Sequence, residues 1–190
     1  MFKAFVIGVL IGVIGLTGSV FFYFASGMAP VAVADPMMPY EKKMASRALD
    51  ARIEKANIPA PPVAVNEENL LAGAKLYKEN CSVCHGTPNE PSPFIASNMF
   101  PHATLMFKGK GVTDDPPQES YWKIVNGIRL TGMPSFKATL NDTQMWQIAQ
   151  FVANTDKISD AVKNVLAPEP PLAATTNPNA APAKAAGSKK

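Results

Sequence analysis

Cys81-Ser82-Val83-Cys84-His85 is the segment that most restricts what this chain can build. It holds the only two cysteines and one of only two histidines in 190 residues. Two residues between the cysteines let one helical turn present both sulfurs on the same side, with the adjacent imidazole pointing at whatever they hold. Attachment of a haem through thioethers needs this arrangement: two thiols for the two vinyl groups, and an imidazole delivered to iron from the same short segment. Three other chemistries use part of the pattern. A disulfide across the pair leaves the histidine without a role. A dithiol redox centre calls for a βαβ setting, and no run alternates with period two long enough to suggest a sheet. A zinc site needs four ligands, neighbours such as Cys84 and His85 do not easily face one metal together, and His102 is the one further Cys/His candidate. The reading is therefore one haem c, bound covalently by Cys81 and Cys84, with His85 as an iron ligand.

Ala4 to Ala25 contains 22 residues and no charge. As a helix that stretch spans about 33 Å, matching the hydrocarbon thickness of a bilayer. The cluster Phe21-Phe22-Tyr23-Phe24 lies where an interfacial aromatic belt belongs. A cleaved signal has a shorter apolar region, although Ala32-Val33-Ala34 before Asp35 resembles a processing site. In either case the segment directs the rest of the chain out of the cytoplasm. The positive-inside preference keeps the amino end and Lys3 on the cytoplasmic side, so a single-pass anchor in a bacterial cytoplasmic membrane would leave the rest periplasmic. Gly8, Gly12 and Gly15 form a small-residue pattern that would let two such helices approach.

The chain divides into four regions: 1–25, a membrane anchor or uncleaved signal; 26–65, a proline-rich spacer; 66–166, the one stretch that can build a core; and 167–190, a Pro/Ala/Lys tail with too little apolar area to order itself. If wholly flexible, the spacer would span about 35 Å on average. It also holds a candidate short helix over 40–56, with Met44, Leu49 and Ile53 loosely on one side. The core region carries nine Lys/Arg against ten Asp/Glu, so the net charge of +3 belongs to the flanks. A nucleic-acid partner, which would need a basic face on the domain, gets no support.

Region 66–166 reads as helices joined by long loops. Asn66 caps the first, with Glu67 and Glu68 in its first turn and Val65/Leu70 placed as a hydrophobic staple. This helix turns Leu70, Ala74 and Tyr77 to the core and ends near Asn80. A second follows Asp115-Pro116-Pro117 and ends at Gly127. A third starts at Asn141, with Gln144 completing a capping box and Leu140/Met145 a second staple. A weaker helical stretch covers 157–166. The proline-rich loop 86–116 is too long for a compact domain unless it wraps something.

Iron opposite His85 needs another ligand, and the domain offers Met99, Met106, Met133, Met145 and His102. Met133 lies in Gly132-Met133-Pro134, where glycine frees the backbone and proline biases Met133 to an extended conformation, as suits a ligand on a loop. Met145 falls on a capped helix as a core residue, and Met99 and Met106 fall in the long loop as packing against the haem. His102 would give a bis-histidine iron instead. Met133 is the ligand chosen, and a thioether raises the reduction potential relative to bis-histidine.

Over residues 66–155 the chain resembles the class I cytochrome c family. The likeness rests on the helix with Gly73 and Tyr77, on Cys81–His85 with Gly86, on Asn126-Gly127-Ile128 through Gly132-Met133-Pro134, and on a last helix with Trp146 and Phe151. It implies an all-α fold with long loops around the haem, and first and last helices crossing with Gly73 against Phe151 or Trp146. It also implies His85/Met133 ligation and electron transfer through an exposed haem edge. Phe100-Pro101-His102 through Leu105 is similar to a P-x-x-L loop of bacterial members, with His102 and Ala103 where prolines are common.

The expected function is electron transfer by a membrane-tethered carrier, free or as subunit of a complex, in a respiratory or related chain and not itself an enzyme. Its partners are a membrane and redox proteins, with Lys75, Lys78, Lys108, Lys110, Lys123 and Lys137 as candidate docking charges. The alternative is a peroxidase-like enzyme or gas sensor with an open sixth position and His102 beside it.

Overall fold

The computed structural model describes residues 1–108 and 113–168, and Lys110 and the tail from 169 lie outside them. The described residues form eight helices and no strand. The long α1 covers Phe2–Ala25 and α2 covers Glu41–Glu54. The domain proper contains α3, Glu67–Asn80; α4, Ser82–His85; α5, Phe94–Ser97; α6, Pro117–Asn126; α7, Asp142–Val152; and α8, Asp160–Val165.

Helix ends follow the capping chemistry. The Asn66 side chain accepts the Asn69 N–H at 2.9 Å at the start of α3. At α7 the box is complete, with Asn141 accepting from the Gln144 N–H and Gln144 from the Asn141 N–H, each at 2.9 Å. Ser159 caps α8 and also donates to the Glu67 carboxylate at 2.8 Å, tying the starts of α8 and α3 together. Gly127 ends α6 at φ +66 and ψ −177, a backbone region open essentially to glycine alone.

The core lies where α3 crosses α7. Gly73 makes the crossing possible, because a Cβ there would stand 2.8 Å from both the backbone carbonyl carbon of Gln147 and the Cβ of Phe151. Tyr77 then meets Phe151 with ring centroids 5.3 Å apart, and Phe107 meets Tyr77 edge-on at 5.7 Å. Trp146 serves a different contact. It stacks on Tyr121 of α6 at 3.9 Å and 8° and so joins α6 to α7. Of the two expected staples, Leu140 and Met145 are both buried, but Val65 is 55% exposed. Val63 takes the buried place instead, with its carbonyl accepting from the Gln150 amide at 3.0 Å, and Ile58 packs on the same core. The folded unit thus begins several residues before Asn66. The spacer holds a further contact: the turn over 30–41, in which Asp35 accepts the Val31 and Ala32 N–H groups, borders a cleft with Phe100.

No residue of α1 is buried, and nothing approaches Gly8, Gly12 or Gly15 within 4 Å. With a mean hydropathy of 2.4 over its most apolar window, α1 is long and apolar enough to cross a membrane, a property that a signal sequence shares.

Candidate cofactor site

Cys81 is both the last residue of α3's hydrogen-bonding pattern and the start of α4. Its N–H donates to Tyr77 at 2.8 Å, while its carbonyl accepts from Cys84 at 3.1 Å and His85 at 2.9 Å. One helical turn therefore separates the two thiols, which are not joined to each other. Burial, and secondarily the neighbouring Cys84, push the Cys81 thiol up to about 12.

Gly86, at φ +77, turns the chain away from His85, and its carbonyl accepts a 2.7 Å bond from the buried Tyr77 hydroxyl. The His85 Nδ1 lies 2.6 Å from the Thr104 carbonyl oxygen. A carbonyl only accepts, so Nδ1 carries the proton and Nε2 presents its lone pair outward. Burial lowers the His85 pKa, opposed in part by the Thr104 bond, so the ring stays neutral as a metal ligand must. The Met106 N–H returns to the His85 carbonyl at 3.1 Å, which ties loop 104–106 to the motif through two bonds.

Met133 lies on a loop folded back over the end of α6. Its N–H donates to Thr131 Oγ1 at 3.1 Å, and its carbonyl accepts the Ile128 N–H at 3.2 Å. Ser135 donates to the Val125 carbonyl at 2.6 Å and the Phe136 N–H to Ile124 at 3.0 Å. At Gly127 a Cβ would come within 2.7 Å of the Pro134 and Ser135 backbone, so the loop closes only on glycine. Met133 is half-buried against the core, Met145 is part of the core, and Met106 packs on its edge.

The His102 Nδ1 lies 3.2 Å from the Ala96 carbonyl oxygen. Among the described residues no group of three or more His, Cys, Asp or Glu side chains is assembled that could hold a bare metal ion. The candidate donors are a neutral imidazole nitrogen, two thiols one turn apart and, on a separate loop, the Met133 thioether. That soft, uncharged set fits a haem iron and the edge of a porphyrin, and it does not fit a hard cation. Large apolar side chains are exposed on the motif (Val83), on the adjacent α5 (Phe94, Ile95) and on the loops (Phe100, Leu130).

Sequence reasoning offered the motif and the loop methionine as candidate haem-site residues. It did not find the Thr104 carbonyl or the partner of the Tyr77 hydroxyl, since a backbone acceptor carries no side-chain signature. Nor did it foresee the lysines: Lys78 donates to the Ala167 carbonyl, Lys108 to that of Glu90, and Lys123 pairs with Asp115 and Glu119.

The family model for cytochrome c oxidase, cbb3-type, subunit III, matches residues 68–152, the segment from α3 through α7. A quinohaemoprotein alcohol dehydrogenase, ADH IIB of Pseudomonas putida, is 27% identical over 135 residues, which cover 64% of this chain but 17% of that protein. The chain therefore corresponds to a small part of that relative. No solved structure gives a significant match.

Proposed function

We propose that this chain, whose residues 68–152 form a class I cytochrome c domain, is a membrane-tethered carrier of single electrons. A cytochrome c domain binds haem c, and the group supplies a ferric/ferrous couple when bound. In this reading there is one haem, linked through thioethers at Cys81 and Cys84, with His85 and Met133 as axial ligands. The bond from His85 Nδ1–H to Thr104 carries the reading furthest, because it fixes the tautomer a metal ligand needs. The same bond makes Nε2 a stronger donor, and the Tyr77–Gly86 bond keeps the turn in place. A Met133 thioether would favour the ferrous state and raise the potential. Nothing in this scheme requires a base or nucleophile, so the chain acts as a carrier, alone or within an oxidoreductase complex.

In the same reading α1 stays in the cytoplasmic membrane and the domain works on the periplasmic side. Tethering raises the effective concentration of a carrier near membrane-bound partners. The partners are redox proteins of a respiratory or related chain. A dehydrogenase donor is the first to test, given the dehydrogenase among the relatives.

Covalent attachment and stoichiometry are tested on denatured protein. Haem should stay with the polypeptide after denaturation and acid–solvent extraction, with a mass increment of one haem. Cys81→Ala with Cys84→Ala should lose it. Haem that extracts from the native sequence, or two haems per chain, would contradict the reading.

A further inference from the structure

Gly132 does not use the backbone freedom that a glycine allows. In the loop that carries Met133, positive φ falls at Gly127 and Leu130, not at Gly132. A side chain at 132 would have to displace the tip of Met99: a Cβ there would overlap the Met99 methyl, the far end of a flexible side chain, and lie 3.8 Å from its sulfur. Met99 belongs to the other long loop, just past α5, and is half-buried. The tip of its side chain thus presses on the residue immediately before Met133. Within its own loop Met133 is held by the bonds of its N–H to Thr131 and of its carbonyl to Ile128. The first of these already ties the N–H of the Gly132–Met133 peptide to the Thr131 hydroxyl, and the Met99 contact adds a side-chain restraint from the other loop.

We infer that Met99 is a positioning residue for Met133: its side chain fills the space a residue at 132 would need and holds the Gly132–Met133 peptide in one place. This rests on the reading of Met133 as an iron ligand. An unbranched thioether suits the role, since it shapes itself to an irregular gap and gains many small contacts along its length. Glycine at 132 is then the complement of Met99, and each residue explains the other.

The test uses the full chain in detergent, in its ferric form. Two signals are read: the charge-transfer absorption of a thioether on ferric iron, and the affinity for added imidazole, which competes for the Met133 position. Met99→Ala should weaken the absorption and raise imidazole affinity about tenfold, the lower end of what outer-shell changes cost a metal site. Gly132→Ala, which pushes aside only the flexible end of Met99, should move both signals the same way. Met99→Leu keeps the bulk and should stay near the original protein. Val162→Ala, in the core on α8, should lower the unfolding temperature without changing imidazole affinity. Met99→Ala with both signals unchanged, Met99→Leu as impaired as Met99→Ala, or Val162→Ala moving the affinity as far, would each overturn the inference. If the unsubstituted protein lacks the absorption, or Met133→Ala keeps it, the ligand reading itself fails and the inference with it.

Discussion

The hydroxyl of Tyr77 donates a 2.7 Å hydrogen bond to the carbonyl oxygen of Gly86, linking the middle of the core to the turn after His85. Tyr77 is buried between Phe151 and Phe107, and burial pushes its hydroxyl far above the ordinary range, so it remains a donor at any physiological pH. Tyr77→Phe keeps the packing and removes the donor, leaving the Gly86 carbonyl without its buried partner. The expected loss of stability is about 1–2 kcal/mol, read from denaturant unfolding, with helix content unchanged.

Gly73→Ala should cost more than a glycine-to-alanine change normally would, although alanine favours helix. The added methyl meets the backbone of Gln147, which cannot rotate away, so α3 and α7 must separate. About 1–3 kcal/mol of destabilisation is expected, a fall of roughly 10 °C in a thermal melt of a domain this size. Gly8→Ala in α1, where nothing lies within 4 Å, is the control and should leave the melt unchanged.

Deleting residues 1–25 after a cleavable secretion signal should release the protein from membranes into the soluble fraction. The haem spectrum should be unchanged, because no residue of α1 is buried in the domain. Native protein whose amino terminus maps to Asp35 or nearby would show that the segment is a cleaved signal rather than an anchor.

How much of this was legible in the sequence depends on how local each interaction is. The cap at Asn66, the capping box of Asn141 with Gln144 and the Cys81–His85 turn all close within four residues, and each stands in the structure as the residues predict. Gly73 and Phe151 came through resemblance and do meet at the helix crossing. Trp146, offered for the same place, stacks on Tyr121 instead, because only folding decides which side of α7 faces which neighbour. Val63 displaced Val65 for a similar reason. Its burial depends on Gln150, 87 residues on. Backbone freedom was the sequence-based reason for Gly132, and the structure replaces it with a contact from Met99 that no spacing rule contains. The Thr104 carbonyl that orients His85 is a backbone group, invisible to any reading of side chains.

The proposed electron-carrier function requires an iron closed on both faces by protein ligands, and the optical spectrum of the purified protein tests that closure. Oxidised, reduced, and reduced protein with carbon monoxide should be compared. Sharp low-spin c-type bands are expected in the reduced state, unchanged by carbon monoxide. Ready binding of carbon monoxide, or a high-spin spectrum, would contradict the proposal by showing that Met133 does not hold the sixth position.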